Sequence, residues 1–294
     1  MSKIVITGAT GYLGNATIEF LLNKGVEAGR ISALIRNAEK AEALKNKGVN
    51  LKIGDYDNYA SLVEAFKGAD KLLFISASDV HRRLTQHENV IKAAKEAGVK
   101  HVVYTSIERK NETEQSPLWI VTEAHLKTEK WLKESGLAYT FLKNNLYMDY
   151  IPVFIGEQVL ETSTIYLPAG NGKVSAALRA EYAEATANVL ISAGHENKAY
   201  DFTNVEAYNY NDVARYISEI TGKTIQYVSP DADGFTQALT GAGVPAEAVG
   251  VISSFAIAQD QGELDFTSTD LENLLGRKPT TLKPYLETVY SSKN

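Results

Sequence analysis

The 294-residue chain has no cysteine. That single absence excludes disulfides, thiolate nucleophiles and Cys-ligated zinc, and it fits a cytoplasmic protein. No apolar run approaches the roughly 20 residues that a membrane span needs. The opening MSKIVITGATG enters a strand directly, so no secretory leader is expected. No long basic block occurs, and the net charge of −6 comes from interspersed residues of both signs, so no nucleic-acid footprint is expected. No Pro/Ser/Gly linker, internal repeat or low-complexity segment divides the chain. What is present is an ordinary globular balance, 44 % hydrophobic and 22 % charged, which suffices to fill a core. Tyrosine is abundant, at 16 residues, and suits core packing, interfaces or an aromatic ligand.

The first half alternates short β-branched runs with helical stretches. Strands are expected at 3–8, 30–36, 49–55, 69–78, 99–107 and 137–145. Helices are expected at 11–25, 37–48, 58–68, 83–98 and 116–136, the last with Ser116 as its cap and Pro117 at its first position. Six β-α repeats with short connections predict an α/β fold, a doubly wound parallel sheet of Rossmann type. After about residue 150 the alternation breaks down. A smaller α+β lobe is expected over 151–294, built onto the dinucleotide-binding part over 1–150 and closing over a cleft, with segments free to interleave. It contains extended segments over 164–179, helices at 180–194 and 210–222, strands at 198–204 and 224–229, and a helical remainder from Pro230.

TGATGYLG places Gly8, Gly11 and Gly14 between the first strand and the first helix. The first glycine permits a tight turn, the second lets the backbone approach a pyrophosphate, and the third lets helix and strand pack closely. The helix N-terminus supplies N–H donors and partial positive charge. An NAD site usually has Asp or Glu at the end of the second strand, roughly 20 residues on. Here ALIRN offers Arg36, which suits a 2′-phosphate through charge-assisted hydrogen bonds. NADP(H) is therefore expected over NAD(H). Asp55 is a candidate for the adenine amino group or, equally, a turn residue. ISAS, with Ser76, Ala77 and Ser78, ends the fourth strand where ligands of this topology lie, beside the ribose.

With TGATGYLG, ISAS, YTS (104–106) and FLKNN (141–145) in place, the chain resembles the short-chain dehydrogenase/reductase superfamily. More narrowly it resembles the NmrA-like branch, with the type 2 NADPH:quinone oxidoreductases and triphenylmethane reductases. QHENVIKAAKEAGVKHVVYTS, HLKTEKWLKESGLAYTFLKNN, AGNGKVSAALRAEYAEA and LLGRKPTTLKPYLETV carry that likeness. It spans the chain and weakens between about 225 and 265. It implies that the turn Gly8, Ala9, Thr10, Gly11, Tyr12 and Leu13 binds pyrophosphate, and that Arg36 binds the 2′-phosphate. It implies that Lys143, Asn144 and Asn145 approach the nicotinamide and the substrate pocket, with Asn145 and Tyr147 facing the cleft. Ser106 matches the superfamily's catalytic serine by position.

That serine's usual partners, a Tyr-x-x-x-Lys pair, are missing. Residues 116–136 contain no tyrosine, and Val121 and His125 stand at the two positions. A tyrosine-driven alcohol dehydrogenase or sugar epimerase is disfavoured. Hydride delivery to a quinone or similar conjugated acceptor fits better, because the resulting anion is delocalised and takes its proton from water. No flavin is needed. Asn145, Tyr147 and His125 are the candidate catalytic residues. The alternative is a non-catalytic NADP(H)-binding redox sensor. A metal site is not expected, since His125 and Glu129 alone are too few ligands. Glu129 is expected to be solvated, pairing at a helix end or at an interface. His87 is expected in packing or an interface, and Arg82 and Arg83 as a solvated pair, with the rim of the cleft mouth as the alternative. The expected partner is a small aromatic or quinone acceptor, with a homodimer as a candidate assembly.

Overall fold

A computed structural model describes residues 2–291. Its strands are β1 (Ile4–Ile6), β2 (Ile31–Ile35), β3 (Asn50–Ile53), β4 (Lys71–Phe74), β5 (His101–Ile107), β6 (Ala138–Asn144), β7 (Thr164–Tyr166), β8 (Lys198–Phe202) and β9 (Gln226–Val228). The longer helices of the first half are α1 (Tyr12–Asn23), α2 (Glu42–Asn46), α3 (Tyr59–Phe66), α4 (Arg83–Glu96) and α5 (Trp119–Ser135). Those after it are α6 (Ile151–Ile155), α7 (Val159–Thr162), α8 (Arg179–Ile191), α9 (Tyr210–Thr221), α10 (Ala232–Gly241), α11 (Ala246–Asp260), α12 (Asp270–Leu275) and α13 (Leu282–Tyr290). Seven strands form one sheet in the order β3-β2-β1-β4-β5-β6-β8, with every pairing parallel. This is the doubly wound α/β fold.

Both faces are covered, as a parallel sheet requires. Side chains alternate along each strand, so Ile4 and Ile6 enter one core while Val5 enters the other. The first core lies under α1 and α8, which pack together. The second lies under α3, α4 and α5. In β5, Val103 faces the first core, and Val102 and Tyr104 face the second. Tyr104 is thereby buried between the sheet and the helices α4 and α5.

The strands are shorter than the sequence reading has them, and β4 ends at Phe74, so that Ser76, Ala77 and Ser78 follow it in the connection to α4; two helices differ more. The helix expected from Ser116 begins at Trp119, with Leu118 as its N-cap. Ser116 is instead a tie: its hydroxyl donates to Glu263 at 2.6 Å and accepts from the Leu118 N–H at 3.1 Å. The helix expected over 37–48 is split into a 3₁₀ turn, Ala38–Ala41, and the short α2. Residues beyond 150 also return to the main sheet. β8 pairs with β6 along Thr140–Asn144, and α12 packs on α8. The buried Glu181 of α8 anchors the closing GRKPTT stretch, accepting from the Thr280 N–H at 2.9 Å and from Arg277 at 2.7 Å.

The remaining segments form a third core around Met148, Ile165, Tyr210, Ile217, Phe235 and Leu286. A two-stranded parallel pair, β7 with β9, lies in it, as does the contact between α9 and α13. The hairpin of α10 and α11 seats on the Gly-Asn-Gly turn. A side chain at Gly172 would lie 1.9 Å from the Gln259 carbonyl oxygen. Only glycine allows α11 to sit there, and Gln259 Nε2 then donates to the Gly172 carbonyl at 2.9 Å. That contact fixes where the other end of α11 reaches.

Candidate active site

The glycine turn after β1 leaves the α1 N-terminus open. Gly8 has φ of +59° and accepts the Gly11 N–H at 2.9 Å. A Cβ at Gly14 would stand 2.4 Å from the Gly8 carbonyl oxygen, so the third glycine sets how closely the helix meets the turn. No side chain caps α1, and its first turn contains no acidic residue. Helices leave their first N–H groups without intrahelical partners, so Tyr12, Leu13 and Gly14 present open donors in a partially positive field. Ala9 points into the core and contributes only backbone. Tyr12 is exposed and stacks under the guanidinium of Arg179, 4.2 Å from its ring centre.

A groove of about 200 Å³ runs along the C-terminal ends of β1, β2 and β4. Gly8, Thr10, Arg36, Asp55, Ser76, Ala77 and Ser78 line it. Arg36 makes no ion pair with the described residues and remains available to an anion. Asp55 accepts the Asp57 N–H at 3.0 Å, a turn bond that uses one of its oxygens. Tyr56 closes the floor by donating to the Ile75 carbonyl at 2.8 Å; burial raises its pKa and keeps it neutral. Of the pair expected in solvent or at the cleft rim, Arg82 is at the groove. Arg82 lines it, held to Asp79 at 2.7 Å and to Asp57 at 2.8 Å. Arg83 is not solvated beside it. It is buried, and its Nε has no hydrogen-bond partner.

A second cavity of about 170 Å³ shares Ser76 with the groove. Its polar wall comes from Thr105 and Ser106 of β5, His125 of α5, and Asn144 and Asn145 after β6. Its apolar wall comes from Tyr147, Tyr150, Phe154, Val251, Phe255 and Leu264. The chain thus brings together Ser76, Ser106, His125, Asn144, Asn145 and Tyr147. Lys143 is not among them. It lines neither cavity, and its ammonium lies 3.7 Å from Asp201 of β8.

The polar groups here are largely committed. Ser106 donates its hydroxyl proton to Glu129, so only its lone pairs remain for a ligand. Glu129 is buried, not solvated. Arg109 holds it with two parallel bonds, at 3.0 and 2.9 Å, and Arg109 also donates to the Ile107 carbonyl at 2.9 Å. Asn145 donates to the Leu264 carbonyl at 3.1 Å and accepts the Leu146 N–H at 2.6 Å, which makes it a clasp between β6 and the segment after α11. Tyr147 lies against Tyr150 and Tyr182, and burial raises its pKa. It is a neutral phenol in the pocket wall. Val121, at the position where a tyrosine would be needed, packs against the third core.

Beneath the cavity lies a buried polar ladder. His87 Nε2 accepts the Ala77 N–H at 3.0 Å, and its Nδ1 lies 2.7 Å from Thr128 Oγ1. His87 is therefore a support of the groove wall, not an interface residue. Tyr104 Oη lies 2.6 Å from His125 Nδ1. Burial, and then the charge of Arg83, push His87 down to about 3. The same causes, in the same order, hold His125 well below its ordinary value. Both imidazoles are neutral at physiological pH. Among the described residues no group of three or more His, Cys, Asp or Glu side chains is placed to hold a metal ion, and no helix is long and apolar enough to cross a membrane.

The NmrA-like family pattern matches residues 1–289. The chain is 38 % identical to quinone oxidoreductase 2 of Escherichia coli over 291 residues, covering 99 % of this chain and 100 % of that protein. The crystal structure of an NADPH-dependent quinone oxidoreductase from Escherichia coli, complexed with NADPH, superposes with a TM-score of 0.92 at 37 % identity, covering 98 % of this chain and 99 % of the other. A Citrobacter triphenylmethane reductase complexed with NADP(H) superposes with a TM-score of 0.89 at 37 % identity, covering 98 % of each chain.

Proposed function

The chain belongs to the NmrA-like family, and we propose that it is an NADPH-dependent reductase passing hydride to a quinone or a related conjugated acceptor without a flavin. One observation carries this reading. A polar groove bearing an unpaired Arg36 meets an apolar, aromatic-walled pocket at Ser76. A dinucleotide and a planar acceptor need such unlike chambers in contact. The names of the relatives support it, since they describe quinone and dye reductases with bound NADPH or NADP(H).

In this reading the open turn of α1 takes the pyrophosphate, Arg36 pairs with the 2′-phosphate, and Ser76 to Ser78 run beside the ribose. The uncapped helix and the close approach enforced at Gly14 fit that group. Bound NADPH supplies the hydride. The chain's own work is to bind and orient two flat rings and to keep water from between them. Tyr147, Tyr150, Phe154 and Phe255 supply the planar and apolar surface for the acceptor. The two electrons arrive with the hydride, and the reduced anion takes its proton from solvent. No Tyr-x-x-x-Lys pair is needed for that step. A cytoplasmic location goes with this reading.

The test is loss of reduced-nicotinamide absorbance with a panel of simple quinones and flavin-free protein. Turnover with NADPH that exceeds turnover with NADH is expected. Tight NADPH binding with no oxidation would overturn the reading in favour of a cofactor-binding sensor.

A further inference from the structure

The reading above assigns the pocket to a conjugated acceptor but leaves open which group meets the acceptor's oxygen. The buried ladder under the pocket answers through its proton inventory. His87 Nε2 accepts a backbone N–H, so it carries no proton, and the proton of this neutral ring sits on Nδ1. That proton goes to Thr128 Oγ1 at 2.7 Å. Thr128 in turn gives its own proton to the Ala124 carbonyl at 2.6 Å. The Tyr104 phenol lies 2.6 Å from His125 Nδ1, with His87 Nδ1 farther off at 3.5 Å, and it also hydrogen-bonds Thr128, whose own proton is already given to Ala124. Burial raises the Tyr104 pKa, so the phenol keeps its proton, and His125 Nδ1 is the short acceptor within its reach.

His125 is neutral and accepts at Nδ1, so its single proton lies on Nε2. The residue lines the acceptor pocket, and Nε2 makes no hydrogen bond with the described residues. We propose that the His87–Thr128 and Tyr104–His125 bonds fix His125 as a neutral donor whose Nε2–H holds the acceptor oxygen that gains charge during hydride transfer. Tyr104 is a positioning residue, acting only through His125. The proposal rests on the reductase reading and assigns the acceptor class within it: a carbonyl compound, not merely any flat aromatic.

A neutral imidazole N–H stabilises a developing oxyanion without surrendering its proton. The balance is simple. Two electrons and one hydrogen arrive as hydride, the nicotinamide is oxidised, the acceptor oxygen carries the charge against Nε2–H, and water supplies the second proton. The charged groups around the ring favour this state. Arg83 of α4 and Arg109 after β5 both oppose protonation of His125, as would a protonated His87. Glu129 on the same helix is already committed to Arg109 and Ser106. Donation by His125 is accordingly flat across the neutral pH range.

Two readouts test this. The first needs no turnover: imidazole nitrogen NMR of the free protein. A protonated Nε2 and bare Nδ1 on His125 are expected, with both tautomers populated in Tyr104→Phe. A proton on Nδ1 in the wild-type ring would overturn the proposal. The second is kinetic. His125→Ala should lower kcat for quinones by roughly ten- to a hundredfold, an oxyanion-donor loss tempered by solvent access, with NADPH affinity unchanged. His125→Gln, whose amide N–H reaches the same place, should restore part of it. A cationic triarylmethane dye, which gains no charge on oxygen when reduced, should lose far less in His125→Ala. Unchanged quinone turnover in His125→Ala, or equal losses on quinone and dye, would overturn the oxygen contact while leaving the reductase reading intact. Absence of any turnover by the wild-type chain would overturn both.

Discussion

The two chambers that meet at Ser76 are built in opposite ways. The groove proposed for the nucleotide comes mostly from consecutive strand ends, each a few residues long, over the first third of the chain. The pocket proposed for the acceptor draws on β5, α5, the stretch after β6, α6 and α11, segments separated by about half the chain. The groove keeps an open helix terminus and an unpaired cation. In the pocket, most polar groups are tied to one another. One chamber waits for charge from its ligand, and the other leaves only a few polar atoms, His125 Nε2 and Asn144 Oδ1 among them, without a partner among the described residues. Affinity is expected to reside in the first and acceptor choice in the second.

Four substitutions or conditions probe that division, beginning with the largest effect. Glu129→Ala strips the buried Arg109 of its partner and leaves the guanidinium uncompensated. Breaking such a pair costs about 3–5 kcal/mol, so a large fall in the urea midpoint is expected, and an unchanged midpoint would show that the pair is solvated. Arg36→Ala removes charge-assisted bonds worth roughly 1.5–3 kcal/mol, which is about ten- to a hundredfold in NADPH affinity. NADH affinity should barely move, and equal losses in titrations of the two would remove the 2′-phosphate assignment. Phe255→Ala reduces the apolar wall of the pocket. It should raise KM for the acceptor by about three- to tenfold through lost burial, leaving NADPH affinity intact; a change in NADPH affinity instead would mean the chambers are not separable.

The smallest effect is on pH. Glu108 is buried close to Asp201, and burial, with that neighbouring carboxylate, pushes it up to about 8. In the unfolded chain it loses its proton near the ordinary glutamate value. Between those limits the folded state holds the extra proton, so this group's contribution to stability is lost as pH rises through the window. Urea midpoints at about pH 5 and about pH 9 should differ less in Glu108→Gln than in the wild type. An identical slope in both would place the titration elsewhere.

How much of this the sequence discloses follows the same division. The glycine turn, Arg36 and the ISAS stretch are local features, and their proposed roles follow from strand ends and helix termini. The six strands up to β6 and their parallel, doubly wound arrangement are legible for the same reason. The pairing of β8 with β6 is not, because KAYDFTN reads as a strand with no indication of its neighbour. Ser116 looks like a helix cap until Glu263, distant in sequence, takes its hydroxyl. His125 and Glu129 look like one polar helix face, yet each answers to a different strand residue, Tyr104 and Ser106. Tyr104 carried a signal of its own, a phenol directly after the two valines of HVVYTSI. The contributions of Phe154, Val251 and Phe255 had none, since the seating of α11 depends on a close approach at Gly172 that no local pattern displays.

The central claim is that the two chambers act as one site for direct hydride transfer. A single-turnover experiment tests it most directly: the flavin-free chain, preloaded with one equivalent of NADPH, is mixed rapidly with excess quinone. The account predicts complete loss of reduced-nicotinamide fluorescence in one phase, one equivalent oxidised per chain. Bound NADPH that stays reduced, or oxidation only after flavin is added, would contradict it.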